Sequence, residues 1–167
     1  MRFLDSIPFE RLLWLVPFFL AIHNLEEAPF MESWSKRLPL KLLLSITTRQ
    51  FLIAVIFLTL AGFLLTYIAL EYTEKQTGYL IILTIQAIIL LNALIPHLAS
   101  TLWFRLYSPG IVTALLVNIP FSFYLFHRAL SEHILSWSQL WILLGIAPIG
   151  LVASALLSLQ IGKAFNK

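Results

Sequence analysis

The run FLIAVIFLTLAGFLLTYIAL, residues Phe51 to Leu70, decides the fold class. It is apolar apart from Thr59, Thr66 and Tyr67, and it carries no charge. A helix of about 20 such residues covers the roughly 30 Å hydrocarbon core of a bilayer. Three further runs read the same way. Tyr79 to Thr101 carries Gln86, Asn92 and His97; Gly110 to Phe126 carries Asn118; Leu135 to Ile161 carries Ser, Gln and two Trp. All are continuous rather than alternating with period two, so they are helices and not barrel strands.

The composition agrees. Of 167 residues, 60 % are hydrophobic and 11 % charged, with a mean hydropathy of +0.91. A soluble domain is about a quarter charged, and a chain this short cannot bury so much apolar surface in water. This excludes a soluble enzyme, a disordered chain and a nucleic-acid-binding domain. The net charge of +3 comes from Lys and Arg in the breaks between apolar runs, where they face anionic headgroups. There is no cysteine, and hence no thiolate metal site, Cys nucleophile or disulfide.

The first apolar run is shorter. Leu12 to Ile22 reaches only about 17 Å as a helix. A signal peptide would end in small residues, but His23-Asn24-Leu25-Glu26-Glu27 follows. The better reading is a helix from Phe9 to Ala28, ending before Pro29 and kinked by Pro17. The expected architecture is therefore an all-α polytopic membrane bundle in one domain. It has about five spans, 9–28, 51–70, 79–101, 110–126 and 135–161, with an interfacial segment at 30–44. That segment interleaves Phe30, Met31, Trp34, Leu38 and Leu40 with Glu32, Lys36, Arg37 and Lys41. It reads as a basic anchor in the interface, or as a lid or lipid gate. Four Lys and Arg fall on the N-terminal side and seven on the other, which favours an N-out, C-in orientation.

Charge inside a span is costly, roughly 3 kcal/mol on insertion scales, and is kept where it has a partner or work to do. Relative to His23, Glu26 lies roughly 60° to one side of the helix and Glu27 roughly 40° to the other. All three share one face, where two adjacent carboxylates repel unless a cation lies between them. Spans one and three run in the same direction, so His23 and His97 lie at one depth. Pro96 displaces the carbonyl of Asn92 and makes a polar notch beside His97. Gln86 lies close to the same face as His97. Ser108-Pro109-Gly110 starts the fourth span at this level, Asn118 lies about two turns further in, and Thr47, Thr48 and Gln50 start the second span here. His127 and His133 lie at the opposite end and are left out.

The string His23-Asn24-Leu25-Glu26-Glu27 resembles the signature of the HXXEE family of small bacterial membrane proteins. Asn92, His97 and Pro109-Gly110 look like its second and third motifs. Four residues separate Asn92 from His97, where the family pattern has three. The resemblance runs from the first span to the fourth and implies a site, a topology and a bacterial cytoplasmic membrane. The family is one of unknown function, so no reaction comes with it.

Three functions compete. In the first, His23, Glu26, Glu27 and His97 hold zinc or iron for a hydrolase or oxidoreductase acting on a lipid-like substrate. Helix bundles use His and Glu three apart in this way, and one Glu then serves as base to a water on the metal. The second is a metal-free acid–base enzyme, of isomerase or cyclase type, acting on an isoprenoid or sterol-like substrate with Glu26 or Glu27 as proton carrier. The third is a proton- or ion-coupled transporter. A structural account stands beside them: single polar residues such as Gln86 and Asn118 more often join helices, and a Glu near a span end reaches to the interface. The expected partners are the bilayer and a hydrophobic small molecule, with no nucleic acid.

Overall fold

The computed structural model describes residues 5–37 and 46–165. Leu38, Leu40 and Lys41 of the interfacial segment therefore lie outside the described residues. Among those described, all regular structure is helical: α1 (Phe9–Leu13), α2 (Leu15–Glu27), α3 (Met31–Ser35), α4 (Thr48–Glu71), α5 (Lys75–Asn92), α6 (Ser100–Phe104), α7 (Ile111–Thr113), α8 (Ile119–Ser131) and α9 (Trp137–Ala164). Two π-helical segments, Ala93–Ala99 and Ala114–Asn118, join α5 to α6 and α7 to α8.

The ends of the long helices follow from local chemistry. Thr47 and Gln50 form a capping box on α4, and Ser136 and Gln139 form one on α9. Glu74 caps α5 by accepting from the Gln76 and Thr77 amides. Among the described residues, four helical stretches are long and apolar enough to cross a membrane: Thr48–Glu71, Lys75–Phe104, Ile111–Ser131 and Trp137–Ala164.

The first segment differs from the single helix expected over 9–28. It is two helices meeting at Trp14, and α2 alone is only about 20 Å long. Pro17 explains the break, because it has no N–H for the Leu13 carbonyl and its ring crowds that oxygen. The segment is nonetheless central. Leu12, Leu13 and Val16 are fully buried, and Ile82, Leu83 and Leu125 join them in the core. This apolar core runs along the first segment from Phe9 to Leu20, where the polar residues of α2 begin. Helices α4 and α9 pack together and against α5 on the outside. Only 11 % of the most apolar window of α9 is buried, against 50 % for the α5 stretch. Ile142, Ile149 and Leu157 on α9 are left exposed, as lipid-facing side chains are.

Candidate metal centre

Helix α2 buries Val16, Pro17, Leu20, His23, Asn24 and Glu27, a stripe at spacings of three and four. The stripe begins apolar and ends polar. His23 and Glu27, one turn apart, thus face the interior at 1 % and 7 % exposure, and His97 meets them at 3 %.

The three converge on one point. His23 Nε2 lies 3.2 Å from His97 Nε2. Glu27 Oε1 lies 3.1 Å from His97 Nε2 and 3.8 Å from His23 Nε2. The two imidazoles stand edge to face at 87°. One ligand atom from each residue falls within 4.8 Å of the others. The Asn92 amide nitrogen lies 3.3 Å from His23 Nε2 and 3.1 Å from His97 Nε2.

The π segment makes that last contact. Asn92 and His97 are five apart, which in an α-helix turns them well away from each other. A π turn, closed by i to i+5 bonds, brings them back to one face. Pro96 falls within this segment, Ala93–Ala99.

The far sides of both rings are also held. His23 Nδ1 is 2.7 Å from Thr113 Oγ1, whose own proton goes to Glu26 Oε2 at 2.6 Å. Thr113 must therefore accept from His23 Nδ1–H, leaving the lone pair of His23 on Nε2. His97 Nδ1 has Ser108 Oγ at 3.4 Å, and Ser108 in turn faces the Pro96 carbonyl. The Nε2 lone pair of His23 thus points to the common centre, and His97 presents one there too when Ser108 accepts from its Nδ1–H.

Glu26 is not brought to this cluster, contrary to the expectation that it ligates beside Glu27. The two carboxylates sit about 100° apart around the helix, and each meets a different neighbour. Glu26 Oε1 accepts from Tyr107 O–H at 2.7 Å and Val112 N–H at 3.1 Å; Oε2 accepts from Thr113 N–H at 2.7 Å. Gly110 precedes α7 and has no side chain to cap it, so Glu26 satisfies the open N–H groups from across the bundle. With its acceptor sites filled, it has no free position for a base at the cluster. The Tyr107 phenol, outside the spans, is pushed up to about 12 by burial and by the Glu26 carboxylate it bonds to.

Gly110 closes the centre. Its φ is +86°. A Cβ there would stand 2.7 Å from His23 Cε1, 2.9 Å from Glu27 Cγ and 3.0 Å from His97 Cε1. Pro109, also buried, leads into this turn.

The remaining expected residues lie apart. Gln86 donates to Ser122 Oγ at 2.6 Å and makes a separate bridge between α5 and α8. Asn118 is buried with no partner for either side-chain atom. Thr48 binds Glu32, and Thr47 and Gln50 cap α4. Sequence reasoning missed Thr113 and Tyr107. A hydroxyl three residues after Gly110, in the first turn of the stretch Ile111–Ser131, was the available signal for Thr113; an exposed Tyr in a short loop gave none.

A large cavity adjoins the centre. It occupies about 460 Å³ between α2, α4, α5 and α9, and Glu27 and Asn92 form part of its wall. Leu58, Leu65, Ile85, Ile88 and Leu151 give it an apolar lining.

No solved structure matches the chain. It is 28 % identical over 151 residues to the uncharacterized protein YrkK of Bacillus subtilis (strain 168), covering 89 % of this chain and 94 % of that one. The sequence profile of the proteins of unknown function with the HXXEE motif matches residues 14–125. That range takes in His23, Glu26, Glu27, Asn92, His97 and Gly110, and the chain belongs to this family.

Proposed function

We propose that the protein is an intramembrane metal-dependent enzyme of the hydrolase or oxidoreductase class, acting on a lipid-like substrate. In this reading His23, Glu27 and His97 hold zinc or iron. One observation carries it: the buried carboxylate of Glu27 meets two imidazole Nε2 atoms, and at least His23 presents a lone pair there. Such a set repels itself unless a cation joins it. The spacings suit a metal. Tetrahedral bonds of 2.0–2.1 Å put ligand atoms about 3.3 Å apart, and the three contacts here are 3.1, 3.2 and 3.8 Å. Asn92 lies beside the three, 3.3 and 3.1 Å from the imidazole Nε2 atoms, where its amide would face a substrate oxygen at a position the three ligands leave open.

A bound divalent ion supplies Lewis acidity toward a substrate oxygen. The chain's own groups do the rest. Thr113 and Ser108 fix the ring orientations. Glu26 is a positioning residue that acts through Thr113. The apolar cavity keeps bulk water from the substrate. We further propose that residues 9–28 form a first span, making five in all, and that the chain lies N-out and C-in in a bacterial cytoplasmic membrane. The Lys and Arg distribution supports this, and reporter fusions at the two termini test it.

The test is metal analysis of protein purified in mild detergent. Zinc or iron is expected at stoichiometric level. His23→Ala, Glu27→Gln and His97→Ala should lose it, whereas Glu26→Gln should keep it. A folded wild-type protein without metal overturns the reading and leaves a proton shared by the imidazoles, the acid–base alternative.

A further inference from the structure

The cavity beside Glu27 is long. Its wall on α4 runs from Phe51 to Leu65, about 21 Å at 1.5 Å per residue. Its volume of 460 Å³ equals that of on the order of fifteen waters at roughly 30 Å³ each, and a methylene is of similar size. Small side chains make the room, with Gly62 and Ala61 on one wall and Ala155 on the facing helix.

The two ends differ. Met31, Trp34 and Ser35 of α3 lie at one end with Phe51. Glu32 binds Lys36 Nζ at 2.7 Å and the Thr48 amide at 2.7 Å, pinning this short helix to the start of α4. Glu27 and Asn92 border the cavity near this end, and the deep end at Leu65 and Ile85 is apolar. Trp and Met beside charged groups are what an interface holds, and the deep end suits a hydrocarbon tail.

The charge pattern selects the head. Glu27 is the charged residue of the lining, and among the described residues no Lys or Arg borders the cavity. Sites that take phosphate or carboxylate heads present Arg or Lys to them. With a divalent ion on Glu27 the described wall still lacks the Arg or Lys that anionic heads require, so an uncharged oxygen head is the one this lining fits.

We infer that the cavity is the binding site for a single-chain lipid with an uncharged oxygen head, a long-chain alcohol, aldehyde or ester. The head lies at Glu27 and Asn92, and the chain runs along α4 to Leu65. The site deepens the enzyme reading above, which supplies the chemistry at the head, but its occupancy is measured separately.

The experiment uses the full-length protein in detergent and a hexadecanol bearing a diazirine at its chain end. Illumination should label peptides of α4 and α5 around Leu65 and Ile85. Gly62→Phe and Ala155→Phe, which fill the tube from two walls, should each weaken labelling about tenfold by removing buried methylenes. A Cβ at Gly62 already meets Leu20 and Pro17 at 3.5 and 3.6 Å, so Gly62→Phe is read only if its melting temperature shows a folded protein; Ala155 is exposed, so Ala155→Phe should fold and decides the test by itself. Hexadecanoic acid and a prenyl diphosphate should compete at least tenfold less well than unlabelled hexadecanol. Labelling spread over the lipid-facing surface, or unchanged in Ala155→Phe, overturns the inference. So does stronger competition by either anion. Metal content is read on the same samples: metal retained without specific labelling defeats the lipid site alone, and specific labelling without metal defeats the enzyme reading alone.

Discussion

Replacing Gly110 by alanine should damage the centre more than any other single methyl group added at a described glycine of the long helices. Two costs add. Gly110 sits at φ +86°, and a left-handed backbone costs a non-glycine residue about 1–2 kcal/mol. The new methyl also meets His23, Glu27 and His97 at 2.7, 2.9 and 3.0 Å, whereas carbons settle at about 3.5–4.0 Å. All three side chains must therefore move by roughly 0.5–1 Å. Overpacking of this kind costs about 1–3 kcal/mol. A total near 3 kcal/mol lowers the melting temperature by roughly 6–12 °C for a chain of this size. The displaced ligands should also bind metal about 10–100-fold more weakly. Thermal unfolding followed by tryptophan fluorescence in detergent measures the first effect, and competition with a chelator measures the second. Gly145→Ala is the control, since nothing lies within 4 Å of its Cβ; in a helix it should be neutral or stabilising by up to about 1 kcal/mol. If Gly110→Ala melts with the wild type and holds metal equally well, the close approach of this backbone to the three side chains is wrong.

Other expectations follow from the same contacts. Glu26→Gln puts an N–H₂ against backbone N–H groups, and for a partly exposed carboxylate this should cost about 1–2 kcal/mol, with metal content preserved; a loss of metal would return Glu26 to the ligand set. Absorbance titration should find one tyrosine ionising near 12, assignable to Tyr107 by its absence in Tyr107→Phe. Because the folded value is raised, the stability it reflects is fully present below the ordinary phenol range near 10 and is lost as pH rises toward 12. A normal midpoint would mean that Tyr107 does not bond Glu26. Asn118→Leu removes two buried polar atoms that have no partner, so the melting temperature should stay level or rise; a marked fall would show that Asn118 has a partner after all.

Much of this was legible in the sequence, for reasons that also mark where legibility ends. Apolar runs of about 20 residues define membrane helices because the bilayer imposes their length. The meeting of His23 and His97 is expected from direction, since the segment 9–28 and the run 79–101 read as parallel with each His near the end of its own, and the two rings do meet. The division between Glu26 and Glu27 was half legible. The 100° between neighbours on a helix is local geometry, but the neighbour each one meets depends on how the fourth span packs. The π segments were hidden. They depend on tertiary contacts and on a proline, and no periodicity announces them, so Pro96 marked a polar notch between Asn92 and His97 but the five-residue step did not show that the two side chains share a face. The break at Trp14 was displaced for a related reason: Pro17 acts on the carbonyl four residues back, and the chain yields there rather than at the proline.

The central claim is that two imidazoles and one carboxylate hold a metal inside the bundle. X-ray absorption at the metal edge of the purified protein tests it most directly. The account predicts nitrogen and oxygen neighbours at about 2.0–2.1 Å, with outer-shell scattering from two imidazoles in the wild type and loss of the metal-edge signal in His23→Ala and His97→Ala. A bound metal whose spectrum lacks imidazole scattering, or is unchanged in both His23→Ala and His97→Ala, would contradict it.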